Sequence, residues 1–261
     1  MEQAAFARLA RDSAFEFMLT VVLLFGVTSI VRWVIGPSPI SRAIPQVHAQ
    51  LLIVGAAVGL LLAGLILSPP GKVSGGHVNP AISLAIWRFG VFPGTGVAAY
   101  TVAQLLGSVL GVIAARAVWG PVVSTPPVAY AVLRPGPGSS TWKLFATEAL
   151  GMAVIIFLVG ICLAVRRLAP LVPWVVGGLV GMGIALLGTT SGGSLNPARQ
   201  FGPAVVSGQT DYLWVYLLAP MVGALIATWA RQMIQSRRRV LSHRLCGTLG
   251  HPPVKMMGNQ I

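Results

Sequence analysis

The chain has 261 residues, 55% hydrophobic and only 9% charged, against about 25% charged in an ordinary soluble domain. That balance excludes an ordinary soluble protein and points to a membrane. A formal net charge of +13 suits nucleic acid in principle, but a soluble basic domain is not this apolar, so the charge is assigned to loops facing anionic lipid and no nucleic-acid partner is expected.

Taken in chain order, the opening stretch MEQAAFARLARDSAFEF is mixed polar and has no small-residue cleavage site after a short apolar core. The first hydrophobic run is therefore expected to stay rather than be removed as a signal peptide. Six apolar runs, 14–36, 47–67, 95–118, 142–165, 171–190 and 211–232, reach the roughly 20 residues that a membrane-crossing helix needs. Pro37, Pro39 and Pro45, the Pro69-Pro70-Gly71 turn, the Pro-, Gly- and Ser-rich 120–140 segment, and Arg166-Arg167 separate them. Two further segments, 79–88 and 196–206, start at Asn-Pro and are too short to cross. They read as re-entrant half-helices, which survive at membrane depth only when buried in protein or lining a water-filled cavity. From about 236 the chain turns basic and then Pro/Gly-rich, and 236–261 is expected to be a disordered cytoplasmic tail.

Lysine and arginine set the orientation. With the N-terminus inside, the cytoplasmic side collects Arg8, Arg11, Lys72, Arg88, Arg166, Arg167, Arg231, Arg237, Arg238, Arg239, Arg244 and Lys255, which is 12 of the 18 basic residues. The other six, Arg32, Arg42, Arg116, Arg134, Lys143 and Arg199, fall on the opposite side. The protein is expected in the cell membrane with both termini on the cytoplasmic side. Trp33, Trp87, Trp119, Trp142 and Trp229 lie near span ends, where an aromatic belt places them. Cys162 and Cys246 are too far apart to suggest a disulfide framework.

The chain also repeats itself. SGGHVNPA at 74–81 is echoed by SGGSLNPA at 191–198. Glu16 precedes Phe25 as Glu148 precedes Phe157, and Tyr100, Gln104 and Gly107 share offsets with Tyr216, Pro220 and Gly223. Three spans and a half-helix thus occur twice, at about 10–120 and 140–235. Three being odd, the second copy enters the membrane from the opposite face, and inverted repeats put a site where the halves meet near the midplane.

Asn is a favoured N-cap, and Pro fits the first helical position because its missing N–H is an orphan there. Asn79-Pro80-Ala81 and Asn196-Pro197-Ala198 therefore read as two helix starts abutting at the centre. Both N-termini carry positive partial charge, which repels cations. The Asn amides offer donors to a neutral solute, and Gly75, Gly76, Gly192 and Gly193 let an extended backbone approach it with carbonyls as acceptors. Arg199, just beyond the second motif, reads as a fixed positive charge at a selectivity site or as a structural pin for loop carbonyls.

On these residues the sequence resembles the major intrinsic protein family, the aquaporins and glycerol facilitators, over about residues 12–232. The carriers are SGGHVNPA, GGSLNPARQFGP and the duplicated Glu-bearing spans. The resemblance implies an all-α membrane fold of six transmembrane helices and two half-helices, and a channel domain over 1–235. It also implies a pore in each protomer and a homotetramer. By the same likeness Glu16 and Glu148 accept hydrogen bonds from the half-helix loops, and His77 is either a gating part or a structural hydrogen bonder. His48, His243 and His251 have no metal-ligand spacing, and neither metal nor cofactor is expected.

The family's filter takes one residue from the second span, one from the fifth and two near the second half-helix. Counting from Asn79 gives Gly59 and aligning the Gly-Leu gives Val58; counting from Asn196 gives Ile184 and Gly193, with Arg199 completing the ring. None supplies the aromatic or the His that strict water channels carry there. Gln200 stands where glycerol facilitators have Asp. The nearest likeness is to nodulin-26-like members, whose filters combine small residues with Ile and Gly, which implies passage of water and neutral solutes the size of glycerol or boric acid. A strict water channel is one alternative. A coupled secondary transporter is another, but it needs titratable midplane groups and only Glu16 and Glu148 are available. No nucleophile–base pair marks an enzyme.

Overall fold

The computed structural model describes residues 2–234 and 239–248. Ten α-helices and no strand occur among them: α1 (Glu2–Val34), α2 (Pro39–Ala43), α3 (Val47–Leu67), α4 (Pro69–Ser74), α5 (Pro80–Arg88), α6 (Gly94–Trp119), α7 (Thr141–Leu163), α8 (Val172–Leu187), α9 (Pro197–Ser207) and α10 (Leu213–Ile234). Six of these, α1, α3, α6, α7, α8 and α10, are long and apolar enough to cross a membrane. The helices α5 and α9 are the expected half-helices.

Two boundaries differ from the sequence reading. Helix α1 starts at Glu2 rather than near 14, because its polar first turns contain good helix formers and no Pro to stop them. The Pro69-Pro70-Gly71 stretch is a short helix rather than a plain turn: Pro fits the first helical position, and the Ser68 hydroxyl caps it by accepting from the Gly71 N–H at 3.3 Å.

Packing follows the repeat. Helix α1 lies along α6, and α7 lies along α10, within each half. Between the halves α3 packs on α8, and each half-helix docks on the other half, α9 on α6 and α5 on α10. Small residues permit these close approaches, as they do wherever lipid removes the hydrophobic drive for helix association. A Cβ on Gly55 or Gly59 would strike the carbonyl of Gly181 or Gly177, and the reverse holds for the α8 glycines. A Cβ on Gly107 would meet the Phe17 carbonyl, and one on Gly223 the Ala149 carbonyl.

The tail departs from its expectation. Residues 239–248 pack onto the helices, with Val240, Leu245 and Cys246 buried in the main apolar core. Three apolar side chains within seven residues give this stretch surface to bury, which its basic composition concealed. Arg237, Arg238, His251 and Lys255 lie outside the described residues.

Candidate functional site

The two Asn-Pro-Ala segments fold alike and face each other. Asn79 is the N-cap of α5, its Oδ1 accepting from the Ala81 N–H at 2.9 Å, and Asn196 caps α9 by accepting from Ala198 N–H at 2.9 Å and Arg199 N–H at 3.3 Å. Each Asn Nδ2 then donates across the junction: Asn79 to the Leu195 carbonyl and Asn196 to the Val78 carbonyl, both at 2.9 Å. The two helix N-termini therefore face each other, stitched by their own caps. One amide N–H of each Asn remains for the cavity that both residues line.

The loops before the caps are not extended as the glycines suggested. Gly75 and Gly76 (φ +108° and +64°) and Gly192 and Gly193 (φ +86° and +63°) lie in the left-handed region, as do Val78 and Leu195 (φ +44° and +50°). Glycine adopts such angles without strain, whereas a branched residue such as Val78 does not. What over-determines these loops is a buried carboxylate in each half. Glu16 accepts from the N–H groups of His77 (3.0 Å) and Val78 (2.7 Å), from the Ser74 hydroxyl (2.7 Å) and from Gln104 Nε2 (2.8 Å). Glu148 accepts from the N–H groups of Ser194 (3.1 Å) and Leu195 (2.6 Å). Tyr100 and Tyr216 donate their hydroxyls to the carbonyls of Ser74 and Ser191, at 2.7 and 2.6 Å. The offsets noticed in the sequence are thus two copies of one loop clamp, and the clamping role of the tyrosines is what the spacing alone did not reveal.

A cavity of about 260 Å³ runs past the junction. Val58, Ile184, Gly193 and Arg199 all line it, as do His77, Asn79 and Asn196. Gly59 does not: it faces α8 against the Gly177 carbonyl and borders an outer groove instead. A Cβ at Gly193 would come within 3.1 Å of Ile184 Cα, so those two residues share one stretch of wall. The remaining lining is mostly aliphatic, including Leu51, Val54 and Val180. Arg199 both lines the cavity and pins a loop, its Nη1 donating to the Ala131 carbonyl at 2.7 Å. Gln200 clamps the same loop, accepting from Leu133 N–H at 3.0 Å and donating to the Leu133 carbonyl at 2.9 Å. The sequence reading gave that loop no role.

At the other end His77 is buried. Its Nε2 lies 3.0 Å from the His243 carbonyl, which can only accept, so the proton sits on Nε2. Nδ1 is 3.0 Å from the Ser83 hydroxyl.

Two half-helix starts joined by crossed Asn caps, each clamped by a buried Glu, decide the family together with a comparison over nearly the whole chain: the profile of the major intrinsic protein family matches residues 3–231. The chain belongs to the major intrinsic protein family. Its relatives include the probable aquaporin NIP7-1 of Arabidopsis thaliana, 30% identical over 86% of this chain and 76% of that one. Aquaporin NIP3-1 of Oryza sativa is 35% identical over 83% of this chain and 66% of its own, and nodulin-26 of Glycine max is 32% identical over 70% and 66%. The fold also matches the solved aquaglyceroporin of Plasmodium falciparum, with a TM-score of 0.67, 22% identity, and coverage of 87% of this chain and 96% of that one. This member of the family is a multi-pass membrane channel for water and small solutes, not an enzyme.

Proposed function

We propose that this channel passes water together with neutral solutes the size of glycerol or boric acid and holds back ions and protons. One observation carries the reading: the cavity wall at Val58, Ile184, Gly193 and Arg199 contains no aromatic ring and no imidazole. Val58 rather than Gly59 is the second-span member of this filter. An aliphatic wall interrupted by a glycine leaves room for a carbon- or boron-bearing polyol, while Arg199 and the free Asn amide hydrogens supply donors to its oxygens. The resemblance to nodulin-26-like relatives supports the same choice.

Exclusion of cations rests on the facing N-termini of α5 and α9, whose positive ends meet at Asn79 and Asn196, and on the Arg199 charge. His77 is read as a structural hydrogen bonder at the inner end of the path. We further read the protein as a homotetramer in the cell membrane with both termini cytoplasmic, 1–235 forming the channel domain. Supporting this are the Lys/Arg asymmetry and the exposed apolar groove between α3 and α8, lined by Leu52, Leu60, Trp174 and Met182. Refilling the wall with Val58→Phe and Ile184→His tests the solute assignment: entry of glycerol and boric acid should stop while water flux continues. Unchanged glycerol entry would contradict it.

A further inference from the structure

His77 lines the cavity, while the apolar side chains of Val159, Leu163, Val172 and Val176 on α7 and α8 are fully buried and do not line it. The segment 239–248 lies across the loop that carries His77. Leu241 N–H donates to the Leu163 carbonyl, the last residue of α7, at 3.2 Å. The His243 carbonyl accepts from His77, its imidazole stacks on Phe92 with ring centroids 6.1 Å apart, and Leu245 N–H donates to the Gly75 carbonyl at 3.0 Å. Gly247 (φ +74°) then fits so tightly on the Ala169 carbonyl, in the α7–α8 connection, that a Cβ there would collide with it. The strap thus touches the α7 end, the first half-helix loop and the α7–α8 connection in turn. Two of the groups it occupies, His77 Nε2–H and the Gly75 carbonyl, are a donor and an acceptor that a hydrogen-bonding solute would otherwise use at this end.

We propose that residues 239–248 are an autoinhibitory strap that closes the His77 end of the pore, and that conduction requires its release. The proposal rests on the channel reading and not on the choice of solute, so water flux is its readout. The means of attachment suits a reversible device. The strap is held by backbone hydrogen bonds and by burial of Val240, Leu245 and Cys246, with no disulfide, Cys162 and Cys246 both being free. Its contacts use the His243 carbonyl, and among the described residues no ion pair or disulfide ties it down.

The experiment compares osmotic water flux per channel, in proteoliposomes at neutral pH, for the full chain, a chain ending at Ile234, and the Gly247→Val variant. Both variants should conduct several-fold faster than the full chain, because one lacks the strap and the other cannot seat it. A flux in the truncated chain equal to or below that of the full chain overturns the proposal; conduction by the unmodified chain would leave the channel reading standing in that event. A second measurement does not depend on flux. In a Cys162→Ser background, maleimide should label Cys246 slowly in the full chain and rapidly once Gly247→Val is added. Equally rapid labelling in both would show that the strap is not seated in the membrane-embedded protein, and would overturn the proposal.

Discussion

Asn79 and Asn196 hold each other's loops: the amide of Asn79 donates to the carbonyl before Asn196, and the amide of Asn196 donates to the carbonyl before Asn79, each at 2.9 Å. The reciprocity makes the centre of the channel a single rigid unit shared by both repeats. A side chain that caps a helix, braces the opposite loop and still presents an N–H to the cavity puts its acceptor and both its donors to separate uses. This is why a short motif repeated twice specifies so much of the molecule.

The buried carboxylates are expected to govern folding rather than selectivity. Glu16→Gln and Glu148→Gln replace an acceptor-only group with one that is half donor, leaving a loop N–H mismatched in each case, at a cost of about 1–3 kcal/mol. Glu16 and Glu148 each accept from two loop N–H groups, so both variants should lose folded protein. Yield of folded protein after detergent extraction and size-exclusion checks this. Normal yield with an altered solute preference would place these residues in the pore instead.

Substitution at Gly59 separates the two registers of the second span. Gly59→Phe should abolish folded protein, since even its Cβ runs into the Gly177 backbone of α8. Val58→Phe has the cavity to enter and should fold, narrowing the path. The comparison needs only expression level and water flux of the two variants. A well-folded, size-selective Gly59→Phe channel would overturn the assignment of Val58.

Arg199→Val is expected to let cations leak, because it removes the fixed charge beside the α9 N-terminus. It also releases the Ala131 carbonyl from a 2.7 Å hydrogen bond, so the 129–134 loop should become more susceptible to protease from that side. Planar-bilayer conductance and limited proteolysis read the two effects. Silence in both would leave Arg199 without either role.

Acid should loosen the strap. Burial, with His77 and Arg244 close by, pushes the His243 imidazole down to about 4, whereas a released one has the ordinary value of about 6.5. The released state therefore takes up the proton first. Docking is at full strength above about 6.5 and weakens by up to about tenfold per pH unit as the pH falls towards 4. The uncharged Phe92 ring faces His243 from the α5–α6 turn and offers no compensating charge. Water flux through the full chain should rise between pH 7 and pH 5, and His243→Ala should flatten that rise. The same rise in His243→Ala would assign it to another group.

The sequence carried the fold wherever chemistry was repeated. The six spans, both half-helix starts and the paired glutamates were legible because length, apolarity and duplicated spacing are all properties of the chain itself. The choice between Val58 and Gly59 was not, since an extra residue before Asn79 shifts a count by one while helix packing against Gly177 decides it. The left-handed Gly75–Gly76 and Gly192–Gly193 turns were hidden for a related reason: glycine permits extended and left-handed backbone alike, and the Glu16 and Glu148 clamps choose between them. The 239–248 strap was hidden by composition, its three buried apolar side chains lying among arginines.

A wide passive pore for neutral solutes is decided by light scattering of proteoliposomes holding the strap-free chain that ends at Ile234, under water, glycerol, urea and boric-acid gradients run side by side. A water response together with glycerol or boric-acid entry above that of protein-free vesicles is expected, with no ion conductance in the same preparation. A water response with every larger solute excluded would contradict the wide filter.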